Sequence, residues 1–177
     1  MGYAISWLAN RGTAEATVLA ALGLEKTGQA EDLPRADWSG TRLGDWTVIY
    51  SNSFEPRRFR KAASKMNGEV VIFDVEEHVM FAAATAFQNG ALAWRIRHDA
   101  QQAGDHLHIE GKPPEILGRI QAEQFARVSE DREVDFIIDI PTRVAEELVG
   151  FRYDKEQEAL FDILRPVPRS KSFWKFW

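Results

Sequence analysis

The chain has 177 residues, with 22 basic and 27 acidic side chains for a formal net charge of −5, and it contains no cysteine. A chain of this length sets a prior of one domain and buries enough surface to need no cross-link. The missing thiols exclude a disulfide framework, a thiolate nucleophile and a thiolate metal site, and the acidic balance argues against nucleic acid as a partner.

Met1 to Asn10 lacks the basic start of a secretory signal, and no stretch approaches the roughly 20 apolar residues of a membrane helix. A cytoplasmic location is expected. Tyr3 to Leu8 alternates and reads as a first strand. Gly12 turns the chain, Thr13 is an N-cap candidate for a helix over residues 14–22, and Gly23 suits the left-handed position that ends it. Residues 28–45, rich in Gly, Pro, Asp and Ser, read as a loop with one short strand, before a strand from Trp46 to Tyr50.

Pro56 fits the first position of a helix running to Met66. Phe59, Ala62, Ala63 and Met66 fall on one side of it, with Arg57, Arg58, Arg60, Lys61 and Lys65 on the other. Asn67-Gly68 then leads into a strand from Val70 to Val75. From Val79 to His98 the sequence predicts a hairpin folded on Asn89-Gly90, a dipeptide that accepts positive φ at both central positions of a type I′ turn. A two-residue turn would pair Gln88 with Ala91, Phe87 with Leu92, Thr85 with Trp94, Ala83 with Ile96 and Phe81 with His98. One face is then bulky, and the other carries Met80, Ala82, Ala84, Ala86, Ala91 and Ala93, leaving room for a helix.

A turn over 99–104 leads to a strand from Asp105 to Glu110. Pro113-Pro114 opens a helix of about 115–128, with Ile116, Leu117, Ile120 and Phe125 as its buried side. Val134 to Ile138 reads as another strand, and Asp139 and Pro141 begin a short helix that ends at Gly150. The expected fold is α+β, a mostly antiparallel sheet built around the 79–98 hairpin with helices packed on one face. Residues 1–165 form one domain, and 166–177 a basic, aromatic tail.

Asp74, Glu76 and His78 make the sharpest chemical constellation. A period of two puts them on one strand face, where two carboxylates and an imidazole suit a divalent metal or an acid–base pair. Their bland reading is a polar strand end facing water. The predicted register separates His98 from His106 and His108, which join Arg95 and Arg97 on the other face and so disfavour a cation there. Nucleotide-binding glycine loops, a nucleophile elbow and a His-Glu-x-x-His pattern are all missing, and no cofactor is expected. Arg169 to Trp177 mixes three cations with four aromatic rings, which suits weak contact with a membrane surface, a disordered end or a docking peptide.

Several stretches together suggest a family. They are Tyr3-Ala4-Ile5-Ser6-Trp7, Leu22-Gly23-Leu24, Thr27-Gly28, Val75-Glu76-Glu77-His78-Val79-Met80-Phe81, Asn89-Gly90, Trp94-Arg95-Ile96-Arg97-His98-Asp99, Pro113-Pro114, Val134-Asp135-Phe136 and Gly150-Phe151-Arg152-Tyr153-Asp154. Their order resembles a group of small uncharacterised bacterial proteins, a resemblance that covers most of residues 1–155 and implies no catalytic residues. More loosely, the small acidic profile is similar to that of immunity proteins of bacterial toxin systems, cytoplasmic single domains that cover a toxin's active site. That similarity implies a non-enzymatic protein whose partner is a basic toxin domain. Residues 68–165 carry 10 basic against 20 acidic side chains, so Asp131, Glu133, Asp135, Glu146 and Glu147 become the partner-binding candidates. The alternative is a small metal-binding protein or hydrolase using Asp74, Glu76 and His78.

Overall fold

The computed structural model describes residues 2–131 and 134–168. In chain order they form β1 (Ala4–Arg11), α1 (Glu15–Leu22), β2 (Leu24–Glu31), β3 (Trp38–Leu43), β4 (Trp46–Ser51), α2 (Pro56–Ala63), β5 (Glu69–Glu76), β6 (Phe81–Gln88), β7 (Ala91–Asp99), β8 (His108–Gly111), α3 (Ile116–Glu130), α4 (Asp139–Val149) and β9 (Phe161–Pro166). The strands make one nine-stranded sheet, ordered β2-β9-β3-β4-β1-β5-β6-β7-β8. All its neighbouring pairs are antiparallel. The class is α+β, with the sheet as its dominant layer.

The predicted hairpin lies toward one edge of this sheet, and β1 and β5 lie nearer its centre. Helices cover both faces, which corrects the expectation of one. Alternate residues of the central strands explain why, because both sets are apolar and each needs a cover. Trp7, Phe73 and Val75 pack with Ile120 of α3 and Val144 of α4 on one face. Leu8, Val70 and Ile72 pack with Val18 of α1 and Phe59 of α2 on the other. Two helix-end signals hold, Pro56 in the first turn of α2 and Gly23 closing α1 at φ 63°, but Thr13 does not cap α1: Ala14 takes that position and the Thr13 hydroxyl donates to the Asn67 carbonyl instead.

Asn89 and Gly90 adopt φ 49° and 79°, as the turn requires. Gln88 pairs with Ala91 and Phe87 with Leu92 as expected, but Ala86 then pairs with Trp94, so Ala93 is the extra residue of a β-bulge. One inserted residue reverses the facing of all that follows. Trp94 and Ile96 therefore join Ala82, Ala84 and Ala86 in the core beneath α4. His98 is carried to that face too, opposite Ala82, while Arg95 and Arg97 turn to the α2 side opposite Thr85 and Ala83.

Gly111 stands against this bulge at φ +77°, where an added Cβ would lie 2.2 Å from the Ala93 carbonyl oxygen. Gly111→Ala should cost ~1–3 kcal/mol through backbone strain and that clash. Urea unfolding measures the loss, and faster amide exchange in β8 would locate it.

Two other expectations are corrected. Residues 28–45 contain the second half of β2 and all of β3 rather than one short strand, and β2 begins earlier, at Leu24. Being an edge strand, it is polar along most of its length, so its apolar alternation is weak. Residues 134–138 form a turn and not a strand, because the Asp135 carboxylate accepts from the backbone N–H groups of Ile137 and Ile138. Residues 151–165 pack on the body, and β9 at their end enters the sheet between β2 and β3.

Candidate functional site

β5 ends at Glu76, and Glu77–Val79 make a single 3-10 turn. Met80 follows in the left-handed region at φ 51°, so the chain bends before His78 can continue the strand face. Glu76 and His78 meet at the surface, 2.7 Å apart. Asp74 is sealed inside, where its Oδ1 accepts from the Ser6 hydroxyl at 2.6 Å. Ser6 in turn accepts from the Glu55 amide. The other Asp74 oxygen has no hydrogen-bond partner, and Arg60 lies 3.7 Å from it. Burial pushes the Asp74 carboxyl up to about 6, against the Ser6 hydrogen bond and the charges of Arg60 and Arg95. Among the described residues no group of three or more His, Asp or Glu side chains is placed to hold a metal ion.

The acidic candidates also divide. Glu133 lies outside the described residues, and Asp131 is exposed at the end of α3. On α4, Glu146 pairs with Arg152 and Lys155, while Glu147 pairs with Arg119 and Arg143. Much of the charge on the α3–α4 surface is therefore balanced internally.

Asp135 turns inward to His98, a residue that the predicted register had placed elsewhere. His98 is fully buried. Its Nδ1 donates to the His106 carbonyl at 2.7 Å, and its Nε2 lies 2.8 Å from Asp135. Burial opposes charge on the imidazole, but the Asp135 hydrogen bond, the His106 carbonyl and the charges of Asp135 and Asp99 outweigh it and raise the pKa above its ordinary value. Asp135 is lowered: burial alone would raise it, and the His98 hydrogen bond and charge, with the Ile138 and Ile137 amides, prevail. The pair is a contact between a buried imidazole and a carboxylate that joins β7 to the turn before α4.

Beside that pair lies a groove of about 700 Å³, lined by Met80, Phe125, Val128, Val134 and Ile137 with Asp105 and Asp135. Phe125, expected on the buried side of its helix, is 40% exposed here, and Val134 is 48% exposed. Exposed apolar side chains gathered in one concavity and edged by carboxylates form a surface suited to a partner with an apolar knob among cations. No single stretch of sequence signals it, since its walls come from the 99–108 connection, the end of α3 and the turn after it.

The tail over 169–177, with its expected membrane contact, lies outside the described residues. Among the described residues no helix is long and apolar enough to cross a membrane. Fold and geometry together make this an α+β protein on a single antiparallel sheet, covered by helices on both faces. Comparisons of the chain with protein-family models, curated proteins and solved structures found no match.

Proposed function

We propose that this chain is a non-enzymatic binding protein that seats a basic protein partner in the groove beside His98 and Asp135, in the manner of an immunity protein blocking a toxin. The observation carrying this reading is the exposed apolar lining of Phe125 and Val134 within an acidic surround. Residues 99–139, which supply most of the groove, hold ten acidic side chains against four basic ones. Charge of that sign steers a basic surface toward the groove, and the apolar floor then supplies the contact energy. Asp105 at the groove's edge carries steering charge, and Asp131 and Glu133 belong to the same acidic stretch of sequence. Asp135 holds the wall in place through His98, and Glu146 and Glu147, already paired, contribute least.

Stoichiometric co-purification from the native host, followed by calorimetry with the recovered protein, tests this. Phe125→Asp should weaken the complex by roughly 30-fold or more, the loss that marks an interface hot spot. Glu147→Gln should leave it unchanged, and added salt should slow association. Recovery of no stoichiometric basic protein, or equal affinity of the Phe125→Asp variant, overturns the reading.

A further inference from the structure

A second concavity, of about 450 Å³, opens where the β2–β3 connection, the end of β4 and the segment 151–157 come together. That volume suits a small molecule. Its lining includes five aromatic rings, those of Tyr3, Tyr50, Phe151, Tyr153 and Phe161, among polar and charged side chains that include Asp154 and Glu156 as well as three cations. The rings meet edge to face, with centroids 5.0 Å apart for Tyr3 and Tyr153 and 6.1 Å for Tyr50 and Phe151. One wall is braced from behind: the Tyr153 hydroxyl donates to Glu77 at 2.7 Å, and the same carboxylate accepts from the Tyr3 amide.

Tyr50 differs from Tyr153. It is only 2% exposed and lines the cleft; among the described residues its hydroxyl makes no hydrogen bond, and since it is not one of the fully buried atoms left without a partner, it reaches solvent at the cleft. Burial raises its pKa, so the phenol keeps its proton and stands as a donor. A buried phenol ordinarily finds an acceptor. Two cations at this cleft are already engaged, Arg152 by Asp139, Glu146 and Asp154 and Lys155 by Glu146. Arg35 also lines the cleft. It is exposed and makes no ion pair among the described residues.

We propose that this cleft binds a small planar aromatic carboxylate, its ring held by the aromatic side chains, a hydroxyl oxygen on that ring accepting from the Tyr50 hydroxyl and its carboxylate paired with Arg35. The site is separate from the partner groove and shares no lining residue with it. Occupancy would stiffen the 151–157 segment against the β2–β3 connection.

Titration of the full chain with 6-hydroxy-2-naphthoate, followed by amide chemical shifts, tests the proposal. Saturable shifts are expected at the cleft residues. Tyr50→Phe should weaken binding by roughly tenfold, the scale of one hydrogen bond, and it keeps the fold because the lost hydroxyl serves no protein group. Arg35→Gln should weaken the naphthoate by about threefold, as for an exposed ion pair, and leave uncharged 2-naphthol unaffected. Phe125→Asp should bind the probe like the unaltered chain. Absence of saturable shifts at millimolar probe, shifts centred on Phe125 and Val134, or unchanged affinity in both cleft variants overturns it.

Discussion

His98→Ala is expected to destabilise the folded chain by ~3–5 kcal/mol, the cost of removing one partner from a buried ion pair. His98 is fully buried and uses both ring nitrogens, one toward the His106 carbonyl and one toward Asp135. Truncation leaves a cavity beside a carboxylate that keeps only the Ile137 and Ile138 amides. Because His98 titrates above the ordinary imidazole value of 6.5, its contribution is full below that pH and is lost as pH rises through the raised folded value. Asp135 titrates below the ordinary aspartate value of 3.8, so its contribution is full above that pH and is lost as pH falls through the lowered folded value. The penalty of His98→Ala should therefore peak between about pH 4 and 6.5 and shrink on either side. Urea unfolding across this range, with a double-mutant cycle against Asp135→Asn, measures the coupling. A penalty independent of pH would show that His98 acts only by filling space.

That pair was hidden from the sequence by one residue. The Asn89-Gly90 turn was legible because its backbone conformation demands those residue types, and the first two pairings followed from it. The bulge at Ala93 was not legible, since alanine fits either face and carries no signal for an extra residue. Every facing beyond it was reversed as a result. His98 moved from the bulky face to the alanine face, within reach of Asp135, and Arg95 and Arg97 moved to the side of Asp74 and Arg60. Helix ends marked by Pro56, Gly23 and Gly150 were legible for the same reason as the turn. The segment Val134–Ile138 was misread because a turn that buries Ile137 shows the same apolar residues as a strand. Only the side-chain hydrogen bonds of Asp135 separate the two.

The functional surface was legible as charge and not as shape. Counting carboxylates identified an acidic region, but the count cannot tell Glu147, held by Arg119 and Arg143, from Asp105 at the edge of an apolar groove. Helical periodicity placed Phe125 with Ile120 in the core. In the fold Ile120 is buried, but Phe125, five residues on and so about 140° round the helix, opens to solvent, while its neighbour Gln124 takes the buried position. The aromatic cleft has no signature in the sequence, because Tyr3, Tyr50 and Phe151 each read as strand or core residues and only the sheet order brings them together.

Asp74→Asn should stabilise the chain at pH 8 and leave it unchanged at pH 4. The carboxyl is almost wholly buried, with one oxygen satisfied by Ser6 and the other without a hydrogen-bond partner. Its pKa is raised from 3.8 to about 6 by that burial. A folded value above the unfolded one means that stability is fully present below pH 3.8 and is lost as pH rises through about 6. A shift of this size corresponds to ~3 kcal/mol of charge burial carried by the native protein at neutral and alkaline pH. Asparagine can keep the hydrogen bond from Ser6 and never ionises, so the variant should hold its low-pH stability throughout. Thermal unfolding should then show a midpoint roughly 5–10 °C above the unaltered chain at pH 8, with the two curves converging toward pH 4. Asp74→Ala separates the two oxygens' roles, because it removes the charge along with the Ser6 acceptor and should gain less. Loss of stability in Asp74→Asn at pH 8 would mean that attraction from Arg60 and Arg95 outweighs burial, and Asp74 would then be an ion-pair anchor for α2.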